Sequence, residues 1–151
     1  GRSEAEIDHW NKVWHRLNPW PDTVAGLTRL KREYVLATLS NGNVALLVNM
    51  AKRAGLPWDA VLGAEVAGHY KPQPEAYLKT AEFLGLAAEE CLMVAAHNGD
   101  LMAAANCGLG TAFVCRPTEY GPNQDFDMEP ENDYDYVAGD FLDLASKLGC
   151  K

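Results

Sequence analysis

The sequence lacks the features that would point to a membrane or to nucleic acid. None of its apolar runs approaches the roughly 20 residues that a membrane-spanning helix requires, and nothing at its start resembles a signal peptide. Basic residues are few, since 13 Lys and Arg stand against 21 Asp and Glu, for a formal net charge of -8. Because anionic partners need a basic patch, the composition argues against both nucleic acid and an anionic membrane surface as partners.

Cysteine is also scarce, and the four cysteines form no recognisable motif. Cys91, Cys107, Cys115 and Cys150 include no Cys-x-x-Cys pair. Cys91 and Cys115 fall in or beside predicted strands, where a free cysteine behaves as a small hydrophobic residue. We therefore expect a reduced, cytoplasmic protein.

Apolar runs and helical patterns alternate along the chain. Hydrophobic residues make up 48% of the sequence, enough for the core of one domain. Apolar runs predict strands at 34–39, 60–64, 91–96, 111–115 and 136–138. Helical spacing predicts helices at 4–17, 22–33 (capped by Asp22), 43–54, 75–84, 140–148, and from the polar tip at 97–100 to residue 106. This alternation predicts an α/β fold, a Rossmann-like three-layer core with a mainly parallel sheet and helices on both faces. The run 91–96 is apolar throughout, which predicts burial on both faces.

The stretch from Ala37 to Gly42 is the central feature of the sequence. An apolar run ends there in Ser40 and Asn41, and a helical pattern follows at once. Open α/β sheets bind ligands beyond the carboxyl ends of their strands, where a hydroxyl, an amide and the free N–H groups of a helix can hold an anion. The simpler interpretation is a tight turn with a helix cap.

Two further polar tips lie after or beside the predicted strands. Lys71 precedes a stiff Pro-Gln-Pro segment, and His97 to Asp100 follow the strand at 91–96. Since such tips converge on one edge of a parallel sheet, we expect them to share a pocket with Ser40 and Asn41. Taken singly, Lys71 could be a solvent lysine, Asp100 a helix N-cap and His97 a loop histidine.

In order and spacing, these tips resemble the haloacid dehalogenase superfamily, and within it the (S)-2-haloacid dehalogenases. The resemblance runs from about Trp14 to Leu144. Leu39-Ser40-Asn41-Gly42 is similar to the second motif of the family, and Val94 to Asp100 to the fourth. The third motif is matched by Lys-Pro-Gln-Pro-Glu-Ala-Tyr, from Lys71 to Tyr77.

The resemblance implies hydrolysis through a covalent ester. An Asp carboxylate displaces halide from the carbon beside the substrate carboxylate, and water then cleaves the aspartyl ester. In this scheme Ser40 binds the substrate carboxylate and Asn41 helps to hold the halide. Lys71 keeps the nucleophile ionised, Tyr77 supports the lysine or the substrate, and Asp100 holds Lys71 and orients the water.

The fourth motif departs from the family pattern. At Ala95 or Ala96 the relatives often carry serine, and at His97 they often carry asparagine. Because imidazole titrates near neutral pH, His97 is either a replacement base that activates the water or a bystander.

The front of the family pattern is also missing. The first motif is a strand that ends in the nucleophilic Asp and is followed by a helical cap, and we recognise neither here. Residues 1–21 resemble the end of the cap and its return linker, and residues 22–151 resemble the hydrolase core without its first strand. We therefore expect this chain to be inactive alone. In the family, the missing first strand lies at the centre of the sheet, between the strands that correspond to 34–39 and 91–96. We also expect the gap that its absence leaves to be repaired by direct pairing of these two strands, by the opening segment, or by a second copy in a homodimer.

Two alternative functions remain open beside hydrolysis of a small 2-haloalkanoic acid. Phosphatases of the superfamily share the Ser or Thr and the Lys, but hold Mg²⁺ with two acidic residues four positions apart in the fourth motif. Here the later position is Asp100 and the earlier one is Ala96, so we expect a small anionic substrate and no metal or other cofactor. The other alternative is a non-catalytic remnant or binding module.

An acidic stretch stands out near the end of the chain. Between 125 and 135, Asp or Glu occupies every second position. A calcium-binding loop would need a glycine in its middle, which this stretch lacks. We interpret the stretch as a solvated loop.

Overall fold

Seven α-helices and three strands make up the computed structural model, which describes residues 1–151. The helices are α1 (Glu4–Asn11), α2 (Thr23–Leu30), α3 (Val44–Ala54), α4 (Ala64–Ala67), α5 (Pro74–Phe83), α6 (Asn98–Asn106) and α7 (Phe141–Lys147). The strands are β1 (Leu92–Ala95), β2 (Gly110–Val114) and β3 (Tyr136–Ala138), and short 3-10 helices span Trp14–Arg16 and Ala88–Glu90. No helix is long and apolar enough to cross a membrane.

The three strands form a parallel sheet in the order β1-β2-β3. Side chains of a strand alternate between the two faces, and β2 sends Ala112 and Val114 to one cluster and Phe113 to the other. The first cluster includes Leu27 of α2 and residues of α7, and the second includes Tyr77 of α5 and residues of α6. The predicted α/β core, with helices on both faces of a parallel sheet, is confirmed.

Two predicted strands are wrong in detail. The segments 34–39 and 60–64 form no regular strands. Strand pairing between residues 34–40 and 60–64 is reduced to two isolated parallel bridges, Ala37 with Ala60 and Ser40 with Gly63. Residue 64 was expected to end a strand and residues 65–67 to be loop, but residues 64–67 form the short helix α4. A strand needs hydrogen-bonding partners, and the segment 34–39 has a partner on one side only.

β1 is an edge of the sheet, because it pairs with β2 and with nothing else. The expected burial on both faces is therefore wrong for most of β1, in which Met93 alone is buried. The edges at Leu36–Ser40 and at Leu92–Ala95, called the open edges below, do not pair with each other. Direct pairing, one of the three expected repairs, does not occur.

The opening segment does not enter the sheet either. The predicted helix 4–17 ends at Asn11, and the 3-10 turn that follows lies against α3, where His15 Nδ1 is 2.8 Å from Asn49 Nδ2. The apolar residues of this segment, Ile7, Trp10, Trp14 and Leu17, are between 39% and 63% exposed. The second expected repair, in which this segment is drawn into the gap, is therefore also wrong.

A buried ion pair ties the start of α2 to the end of β2. Asp22 makes no side-chain cap bond with α2, although the sequence predicted one. Its two oxygens instead accept bonds of 2.9 and 2.8 Å from the Arg116 guanidinium, and the Phe141 N–H donates at 2.8 Å. The rings of Trp20 and Phe141 lie 5.1 and 5.3 Å from the guanidinium carbon. Three segments that are far apart in sequence thus meet at one charged centre.

The contact between α2 and α7 depends on the absence of a side chain at Gly26. A Cβ atom there would lie 2.4 Å from Phe141 Cβ and 2.7 Å from the Phe141 carbonyl carbon. We expect Gly26→Ala to destabilise the fold by about 1–3 kcal/mol through overpacking, although alanine favours a helix over glycine by about 1 kcal/mol. Gly99→Ala in α6 is the matched control, since nothing lies within 4 Å of a Cβ there, and we expect it to stabilise the fold slightly. Urea unfolding measures both, and equal effects of the two substitutions would contradict the packing argument.

Candidate active site

An ion pair between Lys71 and Asp100 forms the centre of the candidate site. Lys71 Nζ contacts Asp100 Oδ2, and the Tyr77 hydroxyl donates to Asp100 Oδ1 at 2.6 Å. Both charged side chains are mostly buried, and Tyr77 is fully buried. Lys71 is therefore not a solvent lysine. Asp100 lies in the first turn of α6, three residues after the N-cap position, so the N-cap interpretation of Asp100 is wrong.

Tyr77 acts as a hydrogen-bond donor to this carboxylate. Burial raises the pKa of the Tyr77 phenol well above its ordinary value, and the hydrogen bond to the negative Asp100 raises the pKa further. The phenol therefore stays protonated. With an ammonium on one oxygen and a phenol on the other, the Asp100 carboxylate is fixed in orientation.

The tip of the segment 34–41 positions the lysine. Asn41 Oδ1 accepts from the Lys71 N–H at 2.7 Å, and Asn41 Nδ2 donates to the Lys71 carbonyl at 3.1 Å. The hydroxyl oxygen of Ser40 accepts from the Gly42 N–H at 3.0 Å. The Ser40 hydroxyl proton and the second Asn41 amide proton remain available as donors for an anion. The predicted convergence of Ser40, Asn41, Lys71 and Asp100 on one end of the sheet is thus present in the structure, and Tyr77, to which only the family resemblance pointed, joins them. His97, which was also expected in this pocket, makes its hydrogen bonds with Glu119 and Tyr120 instead.

The N-terminus of α3 is not the anion site that the sequence suggested. Asn43 is its N-cap and accepts from the Leu46 N–H at 2.7 Å, while the Glu65 carboxylate accepts from the Val44 N–H at 2.7 Å. The chain thus supplies its own anion to this helix end. Neither Ser40 nor Asn41 caps the helix, so the interpretation of both as a helix cap is also wrong.

His97 is the N-cap residue of α6, yet its side chain makes no cap bond. Its Nε2 atom lies 3.0 Å from Glu119 Oε2 and 3.5 Å from the Tyr120 hydroxyl. The Asn98 N–H at the start of the helix is taken by Asp127 Oδ1 at 2.9 Å. The imidazole is therefore held by the loop that follows β2, not by its own helix.

Sequence reasoning missed the contribution of the acidic stretch. Asp127 binds Asn98, and Asp135 Oδ2 accepts from the Thr111 N–H at 2.7 Å. The stretch is therefore not a simple solvated loop, although its alternating charges gave no sign of these partners. No three His, Cys, Asp or Glu side chains come together as a ligand set for a metal.

The residues at this edge do not fit a magnesium ion. The fourth-motif carboxylate of Asp100 already accepts from two hydrogen-bond donors. Ala96, four positions earlier, offers no oxygen beyond its backbone. A hard cation prefers several free carboxylate or carbonyl oxygens, and this donor set is poor in them.

Comparison with known proteins adds independent information. Residues 3–108 match the family model of the haloacid dehalogenase-like hydrolases. The (S)-2-haloacid dehalogenase of Xanthobacter autotrophicus is 36% identical over 118 residues, which cover 75% of this chain and 45% of that protein. A phosphoglycolate phosphatase of Neisseria gonorrhoeae is 34% identical over 93 residues, covering 60% of this chain and 39% of the phosphatase.

The structure is also similar to a solved L-2-haloacid dehalogenase. That protein is 50% identical with a TM-score of 0.96, and the match covers 99% of this chain and 64% of the dehalogenase. The aligned part of the chain covers less than half the length of each of the two sequence relatives above. All three proteins are therefore longer than the part that resembles this chain.

Proposed function

We propose, from the premise that this chain belongs to the haloacid dehalogenase-like hydrolase family, that it forms the core of a 2-haloacid dehalogenase. Residues 1–21 would be cap and return linker, and residues 22–151 the hydrolase core. The observation that carries the proposal is the Lys71–Asp100–Tyr77 cluster beside Ser40 and Asn41. It supplies donors for an anionic substrate without a metal-binding set of carboxylates.

The proposed reaction begins with attack by an aspartate. A carboxylate oxygen forms a bond to the carbon that carries the halogen, while the carbon–halogen bond breaks and halide leaves with the bonding electrons. Asp100 is unsuited to be this nucleophile, because Lys71 and Tyr77 hold its two oxygens. We therefore assign the nucleophile to an Asp outside these 151 residues. Ser40 donates to the substrate carboxylate and Asn41 to the halide.

The second step is hydrolysis of the aspartyl ester. Water adds to the ester carbonyl and gives one proton to His97, and the C–O bond to the substrate breaks so that the 2-hydroxy acid leaves as its alkoxide. The alkoxide takes the proton back from the His97 imidazolium, and the aspartic acid loses its remaining proton to solvent, which regenerates the aspartate. Lys71 stabilises the negative charge in both steps, and Asp100 holds Lys71 and orients the water. We also propose a homodimer and a cytoplasmic location, where the four unpaired cysteines stay reduced.

A phosphatase is the second candidate, favoured by the similarity to phosphoglycolate phosphatase. Ala96 and the engaged oxygens of Asp100 argue against it, because such an enzyme needs carboxylates free for Mg²⁺. A non-catalytic binding module is the third candidate.

A chimera tests the proposal. The part of the 50%-identical dehalogenase that precedes the aligned region is joined ahead of this chain, and halide release from (S)-2-chloropropionate is measured without added metal. We expect turnover, and a loss of about 10²–10³-fold in kcat with Lys71→Met, since Lys71 stabilises the transition state. Lys79→Met is the matched control, because Lys79 Nζ bonds only the Ala67 carbonyl, and we expect it to be active.

Other outcomes would favour the alternative functions. Phosphate release from phosphoglycolate that requires Mg²⁺ would support the phosphatase. A folded chimera that turns over neither substrate would support the binding module. Halide release by the 151-residue chain alone, abolished by Lys71→Met, would show that a carboxylate within it is the nucleophile.

A further inference from the structure

The loop after β2 holds the His97 imidazole by one nitrogen. His97 Nε2 is 3.0 Å from Glu119 Oε2, and the Tyr120 ring lies 6.1 Å from the imidazole between centroids. Both side chains of the His97–Glu119 pair are about one third exposed. A neutral imidazole carries one N–H, and a carboxylate acceptor selects the tautomer with the proton on the nitrogen that faces it.

Asp127, not His97, accepts from the first N–H group of α6, which leaves the His97 side chain free to contact Glu119. Asp127 Oδ1 accepts from both the backbone N–H and the side-chain amide of Asn98 at 2.9 Å. Asp127 is the one non-glycine residue with a positive φ, 55°, a conformation that persists where surrounding contacts enforce it. Asn98 is itself 3% exposed, and its Oδ1 accepts from the Glu131 N–H and the Tyr134 hydroxyl.

The backbone of Glu119 is hydrogen-bonded to a buried residue. Its N–H donates to the carbonyl of Arg116 at 3.3 Å, and Arg116 is buried in the ion pair with Asp22. Glu119 therefore follows the carboxyl end of β2 and His97 follows the carboxyl end of β1, at the end of the parallel sheet from which α6 begins. On the first turn of α6, His97 and Asp100 occupy the N-cap and N3 positions, which lie beside each other.

We propose that Glu119 is a positioning residue that keeps the proton of neutral His97 on Nε2, so that Nδ1 is free to accept the proton of the hydrolytic water. The inference rests on the proposed function for the identity of that water. Glu119 would also stabilise the imidazolium that forms when Nδ1 takes up the proton. The first step, halide release, needs no base and should not depend on Glu119.

Nitrogen-15 NMR of the 151-residue chain tests the tautomer without any need for activity. The His97 signals are identified by their loss in His97→Asn, and spectra are recorded at a pH where the ring is neutral. We expect the Nε2–H form to dominate in the unsubstituted chain and in the control Glu89→Ala, an exposed glutamate. Glu119→Ala should raise the fraction of the Nδ1–H form toward that of a free histidine, in which Nε2–H still predominates. An unchanged ratio of the two tautomers in Glu119→Ala, or a dominant Nδ1–H form in the unsubstituted chain, would overturn the proposal.

Rapid-quench kinetics of the chimera test the role in the second step. We expect Glu119→Ala to slow ester hydrolysis by about 10–100-fold, by analogy with the loss of a partner that orients a metal-binding histidine. Halide release in the first turnover should be unchanged, so the aspartyl ester accumulates and is detected by mass spectrometry. Equal slowing of both steps would contradict a role in positioning His97. Absence of halide release in every variant would overturn the proposed function and leave the NMR result as the test of Glu119.

Discussion

Replacing Asp22 with alanine is expected to destabilise the fold by about 3–5 kcal/mol, because it leaves the guanidinium of Arg116 buried without a counter-ion. Both side chains are about one tenth exposed. The substitution also removes the acceptor for the Phe141 N–H at the start of α7. Urea unfolding at pH 7 measures the loss. Asp8→Ala is the matched control, since Asp8 pairs with Lys12 at a site where both side chains are about 60% exposed, and exposed pairs contribute little.

The same ion pair makes stability depend on pH. Burial by itself would raise the pKa of Asp22, but the hydrogen bonds from Arg116 and the Phe141 N–H, with the charge of Arg116, lower the pKa below its ordinary value of 3.8. A carboxyl group whose pKa is lower in the folded state stabilises the fold above its unfolded pKa and loses that effect as the pH falls through the folded pKa. Stability should therefore fall below about pH 4, and less so in Asp22→Asn. An Asp22→Ala variant as stable as the unsubstituted chain would contradict a stabilising role of the Asp22–Arg116 ion pair.

The candidate site was predictable because its residues end recognisable elements. Two apolar runs end in polar residues, one in Ser40 and Asn41 and the other in His97 to Asp100. Each run shows where a strand ends at the side of the sheet that holds the candidate site. The structure joins these tips through the contacts of Lys71 with Asn41 and Asp100. The pairing of strands was less predictable, because the apolar run at 34–39 predicts burial but does not show which strand, if any, will pair with it.

Side-chain partners far apart in sequence were not predictable at all. Asp22 was expected to cap its own helix, but its partner Arg116 lies 94 residues away. Asp127 is 29 residues from Asn98, and Glu119 is 22 residues from His97. In each case the local pattern allows a local hydrogen bond, and tertiary structure selects a stronger or more buried one.

The open edges present backbone N–H groups whose direction follows from the observed pairing. Because the Cys91 carbonyl accepts from the Gly110 N–H, Met93 faces β2, and the N–H groups of Leu92 and Val94 point away from it. The Thr38 N–H donates to Ala60, so those of Ala37 and Leu39 point away from that partner. These four amides are the ones that a strand inserted between the two open edges would engage.

Hydrogen–deuterium exchange of these four amides is therefore expected to differ strongly between the chain and the chimera. In the chain alone, Ala37, Leu39, Leu92 and Val94 should exchange rapidly, while Met93 and Thr38, which already have partners, serve as internal controls. Each unpaired buried group costs about 1–3 kcal/mol, so a strand of about five residues contributes on the order of 10 kcal/mol, comparable to the stability of a whole domain. We expect exchange of the four amides to slow by about 10³-fold or more in the chimera.

The exchange pattern also separates the remaining structural alternatives. Protection of Leu92 and Val94 in the chain alone that rises with protein concentration would mean that a second copy fills the space, the one expected repair that the structure leaves untested. Protection that is independent of concentration would mean that the two open edges close on each other in solution, contrary to the observed pairing. Fast exchange in the chimera as well would contradict the assignment of the missing strand to this place, because a strand that enters the sheet must take up these four N–H groups.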